Sequence, residues 1–231
     1  MFGRVGRAGL NPIKNRQQER LGQLTPALRA SFQLLQDLFK LQPRREFRLC
    51  TGKVHRILVA SDASYEAGLG KAGFLIVSDP GSPKEVRKGF EVLIPNELYE
   101  MWGDQHTYIS QLELMVVITV MIQCAPLVRN SRGVWFIDNV AALMALVNGR
   151  SNTDSLDQMA LLGHLASFAL GANSFYEWVG SKSNWSDEIS REGRRGKWAP
   201  ANGFDTTVCT FNPLLLRLPC RAVVTVLEHL G

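Results

Sequence analysis

Four acidic residues lie at the ends of apolar runs or within one. There a carboxylate is costly unless a cation, a proton or hydrogen bonds compensate its charge. Strand ends and helix starts in a β-α-β arrangement point toward one edge of a sheet, where binding sites usually lie. Carboxylates gathered at such an edge repel one another unless cations neutralise them, and Mg²⁺ is a hard cation that prefers oxygen ligands. Two such ions about 4 Å apart can clamp the attacking water and the leaving oxygen of a phosphodiester. In chain order, the four residues are Asp62, Glu113, Asp138 and Asp187.

The first acid lies on a predicted β-hairpin. Residues 57–60 form a β-type run that places Asp62 at its end, and a glycine-rich turn separates it from a second apolar run at residues 72–77. Residues 86–94 alternate between apolar and charged side chains, which is typical of a half-exposed edge strand. The sequence therefore predicts three consecutive strands, with one carboxylate near the tip of the first.

Glu113 is the only charged residue between positions 109 and 128. The length of residues 108–124 favours a buried helix over a strand, and Glu113 would share a helical face with apolar side chains. A basic partner, a proton or a metal ion could compensate this carboxylate. The alternative is that Glu113 lies on the solvent side of the helix and needs no compensation.

The third and fourth acids stand at predicted junctions. Residues 133–138 predict a strand that ends in Asp138, and residues 141–147 predict the helix that follows. Capping of that helix is the alternative role for Asp138. After a last predicted strand at residues 174–179, Asn184 can cap a helix with Asp187 at its third position, where an acid also favours the helix start.

Four segments together resemble the ribonuclease H domain attached to retroelement reverse transcriptases. They are ASDAS with the following hairpin, ISQLELMVVI, VWFIDNVAAL and YEWVGSKSNWSDEISR, and they span about residues 56–191 in the family's order. The resemblance implies an α/β fold with a mixed five-stranded sheet, in which the first three strands are antiparallel and helices cover both faces. It also implies hydrolysis of the RNA strand of RNA–DNA hybrids to give 5′-phosphate ends.

The resemblance implies roles for individual residues as well. Asp62, Glu113, Asp138 and Asp187 would be the catalytic metal ligands for two Mg²⁺ ions, with Mn²⁺ as a possible substitute and Asp62 bridging both ions. The partner is an RNA–DNA hybrid, recognised through phosphates and 2′-hydroxyl groups. Three polar residues beside the ligands would contact substrate or water, namely Ser64, Asn139 and Asn184.

The flanking segments divide the chain into three predicted regions. Residues 1–55 are basic and helical, residues 56–192 form the ribonuclease H-like domain, and residues 193–231 are a C-terminal extension. The N-terminal region resembles the thumb-to-ribonuclease connection of reverse transcriptases, and no YxDD polymerase motif follows or precedes it. The polymerase part is therefore a candidate partner. A helix at residues 27–41 is predicted to be amphipathic, with Leu28, Phe32, Leu35, Leu38 and Phe39 at helical spacing.

Composition sets further bounds. The 231 residues carry a net charge of +5 and a pI of about 9.2, which favours a polyanionic partner. The four cysteines lack metal-binding spacing and are expected to be reduced, as in an intracellular protein of the cytoplasm or nucleus. The N-terminus has no apolar signal core, and no uninterrupted apolar run reaches the roughly 20 residues of a membrane span. We therefore expect a soluble protein without a membrane partner.

Two other interpretations compete with a nuclease of this family. Between His164 and Asp187 there is no histidine, although many ribonucleases H have one before the last acid; this loop offers Ser181, Lys182 and Ser183 instead. A non-catalytic ribonuclease H-like module that binds nucleic acid or a partner protein is the first alternative. Another nuclease or an integrase on the same fold is the second, but the order of the acids disfavours an integrase. A DEDD exonuclease would have an acid in place of Ser64.

Overall fold

The β-hairpin that carries Asp62 forms the centre of the sheet in a computed structural model that describes residues 7–19, 22–41 and 54–230. Strands β1 (Arg56–Glu66) and β2 (Leu69–Ser78) pair antiparallel over their whole length. The two-residue turn between them has positive φ angles, 51° at Ala67 and 81° at Gly68. Two consecutive positive φ angles define the tight turn whose twist matches a hairpin, and the glycine adopts it without a Cβ clash. The predicted hairpin is confirmed.

Six strands of the described residues form one sheet, in the order β5-β4-β1-β2-β3-β6. Strand β3 (Val86–Leu93) pairs antiparallel with β2, whereas β4 (Arg132–Ile137) pairs parallel with β1 and β5 (Asn173–Trp178) pairs parallel with β4. The mixed sheet with three antiparallel leading strands therefore agrees with the predicted fold class.

The predicted strand count of five and the edge position of β3 are both wrong. Strand β6 (Asp205–Thr210), from the predicted C-terminal extension, pairs parallel with β3 from Lys88↔Asp205 to Leu93↔Thr210. The alternating, half-exposed pattern of β3 therefore does not mark an edge strand, because the short, polar strand β6 lies outside it. Such a cover protects backbone groups that an open edge would leave available for pairing with another chain.

Helices cover both faces of the sheet, as predicted. Neighbouring side chains of β2 point to opposite faces of the sheet and therefore pack in different layers, because side chains alternate along a strand. Phe74 and Ile76 join the main core with Leu112 and other residues of α4, α6 and α7, whereas Leu75 packs with Ile189 of α8 on the opposite face. The helices are α1 (Asn11–Glu19), α2 (Pro26–Leu41), α3 (Glu97–Trp102), α4 (Ile109–Gln123), α5 (Ala125–Val128), α6 (Val140–Asn148), α7 (Asp154–Ala169), α8 (Asp187–Glu192), α9 (Trp198–Ala201) and α10 (Cys220–Glu228).

The terminal segments pack on this core, and the predicted helix at residues 27–41 is confirmed as α2. The helix buries only part of its apolar side chains: Leu28, Leu34 and Leu38 are buried, whereas Phe32 and Phe39 are 46% and 65% exposed. At the other end, α10 packs against α7. The apolar C-terminal stretch therefore contributes to the main core, while the predicted region boundaries after residues 55 and 192 stay predictions.

Two remaining sequence expectations concern thiols and membranes. Cys124, Cys209 and Cys220 are free thiols, while Cys50 lies outside the described residues. Within the described ranges, no helix is both long enough and apolar enough to span a membrane.

Candidate metal centre

Two of the predicted acids meet where the parallel strands β1 and β4 separate. The β1–β4 pairing ends at Ala60↔Phe136, and Asp138 follows directly after β4. Asp62 lies two residues past Ala60, on the part of β1 that pairs only with β2 among the described strands, opposite Gly73. The strand thus continues to Glu66, beyond the predicted end. Because parallel strands share their carboxyl edge, the two carboxylates lie on the same side of the fold.

Glu113 reaches this edge from the N-terminal half of α4. It is 1% exposed, and its Oε1 accepts a hydrogen bond of 2.9 Å from the backbone N–H of Ala63. Its Oε2 is buried, and within the described residues no donor meets it with hydrogen-bond geometry. One carboxylate oxygen from each of Asp62, Glu113 and Asp138 lies within 4.8 Å of the other two. The solvent-side alternative for Glu113 is therefore wrong.

Burial controls the protonation of Glu113. Its pKa is raised well above the ordinary value, first by desolvation and then by the charges of Asp62 and Asp138. The Asp138 carboxyl also lies close enough for a proton shared between the two acids to raise that pKa further. In the absence of a cation, the protein compensates this carboxylate with a proton.

Asp62 is buried like Glu113, and its carboxylate is also held by a hydrogen bond from α8. It is 3% exposed, and desolvation raises its pKa from 3.8 to about 7, with smaller contributions from the charges of Asp138 and Asp187. The hydroxyl of Ser190 on α8 donates to Asp62 Oδ2, which lowers the pKa. The same hydroxyl lies 2.9 Å from the backbone carbonyl of Asp187, so α8 is attached to the acidic site through one side chain.

A glycine allows α8 to approach the sheet at this point. A Cβ on Gly73 would lie 2.9 Å from the backbone carbonyl carbon of Ile189 and 2.9 Å from the backbone nitrogen of Ser190. Side-chain atoms can move away from such a contact, but the helix backbone can do so only by shifting as a unit. Gly73 therefore sets the distance between Ser190 and Asp62.

Replacing Gly73 with alanine is expected to destabilise the protein by about 1–3 kcal/mol, because the added methyl group overpacks the contact with α8. Urea denaturation measures the change in the free energy of unfolding. Gly22→Ala is the matched control, since a Cβ there meets no atom within 4 Å and should change stability by less than about 0.5 kcal/mol. Equal stability of the Gly73→Ala variant and the wild type would show that α8 does not pack as described.

Asp187, the fourth predicted ligand, lies beside the three clustered acids rather than among them. Its side chain is 39% exposed, and its Oδ1 accepts a hydrogen bond of 2.9 Å from Arg191 Nε, one helical turn away. Asp187 is the first residue of α8, not the third as predicted, because the helix begins after Ser186. It still contributes to the field at Asp62.

The predicted substrate-contacting residues have different surroundings. Asn139 Oδ1 accepts a hydrogen bond of 3.0 Å from Ala142 N–H, so Asn139 caps α6 and the capping alternative for Asp138 is wrong. Asn184 is 6% exposed and donates to the carbonyl of Ser61 at 2.9 Å, which ties its loop to β1 rather than capping α8. Ser64 is half-buried on β1, on the same face as Asp62. Substrate contact by these three residues stays a prediction.

Three further residues shape the site and were missed in the sequence. Trp178, at the end of β5, donates its indole N–H to the backbone carbonyl of Asp138 at 3.2 Å. Ser190 and Arg191 follow Asp187 by three and four positions, the spacing that places side chains on one helical face, so their position was a usable signal. His164, in contrast, is buried and bonded to the carbonyl of Leu146 at 2.9 Å, as expected for a packed histidine.

No protein-family model and no curated protein matches the sequence. Among solved structures, the chain is similar to the N-terminal RNase H domain of rv2228c from Mycobacterium tuberculosis, determined as a fusion protein with maltose binding protein. The two are 12% identical with a TM-score of 0.42, and the match covers 64% of this chain and 99% of that chain. A likeness this distant carries no inference about activity.

Proposed function

We propose that this protein is a divalent-metal-dependent ribonuclease H that hydrolyses the RNA strand of RNA–DNA hybrids, as part or remnant of a retroelement reverse transcriptase. The observation that carries the proposal is the buried group of Asp62, Glu113 and Asp138, in which Glu113 Oε2 lacks a hydrogen-bond donor among the described residues. Buried polar atoms without a partner are rare, and a ligand that the structure lacks is one of their common explanations. A second support is the order of the acids along the chain, which is part of the resemblance to the ribonuclease H domain described above.

The three carboxylates fit a hard divalent cation. Carboxylate oxygens are the ligands preferred by Mg²⁺ and Mn²⁺. Among the described residues no N–H or O–H group donates to Glu113 Oε2, so a cation there would replace the proton that Glu113 can share with Asp138. When bound, such ions would lower the pKa of a water molecule and stabilise negative charge on a phosphodiester. The protein residues hold the ligands in place: Ala63 N–H fixes Glu113, Ser190 fixes Asp62, and Trp178 fixes the backbone of Asp138.

The surroundings of the acids support a polyanionic substrate. The chain as a whole carries a net charge of +5, although the site itself is locally negative. Lys182 is exposed in the loop before α8, Arg191 is exposed on α8, and Arg194 and Arg195 follow it. Phosphates contacting such side chains would bind in a salt-dependent manner. Positive charge around an acidic centre is the arrangement expected of an enzyme that binds a nucleic-acid backbone and holds cations against it.

The non-catalytic module is the second candidate, and one observation favours it. Asp187 is paired with Arg191, so the fourth expected ligand is compensated without a metal ion. The loop before it also has no histidine. A module of this kind would bind a hybrid without cleaving it.

Hybrid cleavage distinguishes the two candidates. We expect the wild-type protein with Mg²⁺ or Mn²⁺ to cut the RNA strand of a hybrid, leaving 5′-phosphate ends, and to spare duplex DNA and duplex RNA. Asp138→Asn should reduce the rate about 100-fold or more while leaving hybrid binding in place, because the amide keeps the shape but is a poor metal ligand. Gel analysis of end-labelled strands measures both.

Asp154→Asn is the matched control for this experiment, because Asp154 is an exposed acid at the start of α7 and should tolerate the change. Hybrid binding by a wild-type protein that cleaves no faster than Asp138→Asn would reject the nuclease in favour of the binding module. Cleavage that persists in a chelator would reject the metal dependence.

A further inference from the structure

The position of Asp187 poses a problem that its neighbour Arg191 resolves. Three acids converge, while the fourth points to an arginine one turn along the same short helix. The Arg191 side chain is 54% exposed, and its charge lowers the pKa of Asp62, so the guanidinium lies within electrostatic reach of the buried acids as well. Arg191 therefore acts on both Asp187 and Asp62.

Helix α8 is held firmly enough for this arrangement to persist. Ser190 links the helix to Asp62, Gly73 lets its backbone lie against β2, and Lys71 Nζ donates to the carbonyl of Arg191 at 3.1 Å. With the backbone fixed, the change available to Asp187 is a rotation of its side chain between Arg191 and the other acids. That rotation would break the ion pair with Arg191 and turn the Asp187 carboxylate toward Asp62, whose pKa its charge already raises.

We propose that Arg191 is a positioning residue that acts as an internal counter-ion, holding Asp187 at the rim of the site and competing with the divalent cation for this carboxylate. The inference rests on the proposed function. Without metal, the arginine neutralises an acid that would otherwise add to the repulsion among Asp62, Glu113 and Asp138. When the metal binds, Asp187 leaves Arg191. Breaking their ion pair costs free energy, so Arg191 weakens the affinity of the site for the ion.

The expected effect is modest because the pair is partly exposed. Exposed ion pairs are worth little, and the corresponding change in a dissociation constant is about two- to five-fold. Calorimetric titration of the full chain with Mn²⁺, without nucleic acid, should show that Arg191→Gln lowers the Kd by this factor. Arg191→Lys should stay closer to the wild type, because it keeps the charge while losing the Nε donor.

A double-mutant cycle tests whether Arg191 acts through Asp187. In an Asp187→Asn background, Arg191→Gln should lower the Mn²⁺ Kd by a smaller factor than in the wild-type background, because no carboxylate remains to be released and only the effect of the Arg191 charge on Asp62 is left. Arg195→Gln removes the same charge from an exposed neighbouring position and should have little effect. An equal improvement from Arg191→Gln in both backgrounds would overturn the proposal, since it would assign the effect to net charge alone. Unchanged or weaker Mn²⁺ binding by the single variant would also overturn it.

The titration separates the failure of this inference from that of the proposed function. A wild type that binds Mn²⁺ but does not cleave a hybrid overturns the nuclease and leaves the counter-ion role supported or rejected by the cycle. A wild type that binds no Mn²⁺ overturns both.

Discussion

Replacing Glu113 with glutamine is expected to slow hybrid cleavage about 10³-fold and, without metal, to make the protein more stable. The activity loss follows from the ligand set, because an amide cannot supply the negative oxygen that a hard cation requires. Metal-based charge stabilisation amounts to several kcal/mol in a transition state, which corresponds to about three powers of ten in rate. Single-turnover cleavage of a labelled hybrid measures this effect.

The stability gain has a separate cause. Glutamine can still accept the Ala63 N–H bond, and its amide N–H₂ can donate to Asp138 without the carboxyl having to take up a proton. It also removes the carboxylate that burial forces to hold a proton. Thermal unfolding without metal should therefore show a higher Tm, by about 2–4 °C for each kcal/mol gained. Glu228→Gln, at an exposed position of α10, should change neither property.

A lower Tm for Glu113→Gln would show that the carboxylate is stabilised in the metal-free protein by an interaction other than protonation. Full activity would remove Glu113 from the ligand set. The two measurements are independent, so either half of the prediction can fail alone.

The convergence of three acids could be predicted because each follows from a local pattern. Asp62 and Asp138 end apolar runs, and parallel neighbours share their carboxyl edge. Glu113 is a single charge in a helix that is apolar almost all round, so burial on any face was the expected outcome. Geometry of this kind depends only on the period of the element and on the direction of the strands.

The position of Asp187 could not be predicted in the same way. The spacing of Asp187 and Arg191 allows an i,i+4 ion pair, while the family motif assigns the aspartate to the metal. Both interactions suit the same carboxylate, so the sequence alone does not select one. The result depends on how closely α8 approaches β2, which Gly73 determines from more than a hundred residues away.

The presence of the sixth strand and the exposure of the α2 aromatic side chains could not be predicted, for related reasons. Strand β6 is short and polar, so its pattern is weak, and its place in the sheet depends on the open ladder of β3. In α2 the apolar stripe is wider than the surface it packs against, which leaves Phe32 and Phe39 exposed beside the buried Leu28. Helical periodicity identifies an apolar stripe but not the part of it that a neighbour covers.

The buried acids also make the stability of the metal-free protein depend on pH. The pKa of Asp62 is raised from 3.8 to about 7 in the folded protein. The folded state therefore binds more protons than the unfolded chain between these values, and the free energy of unfolding falls as the pH rises through this window. The stabilisation is fully present below pH 3.8 and is lost by about pH 7; a shift of this size corresponds to about 4 kcal/mol. The raised pKa of Glu113 acts in the same direction.

Asp62→Asn isolates this contribution. The amide is neutral at every pH, so the difference in unfolding free energy between variant and wild type should grow from pH 4 to pH 7 and then level off. Urea denaturation across this range in the presence of a chelator measures the difference, and Asp205→Asn, at an exposed position of β6, should follow the wild type.

Adding Mg²⁺ at 100 times its Kd should return about 2.7 kcal/mol to the wild type above pH 7 and little to Asp62→Asn. Parallel pH profiles for Asp62→Asn and wild type would mean that Asp62 is ionised without cost in the folded protein. In that case the acidic group would not need a cation, and a metal centre would have no electrostatic basis.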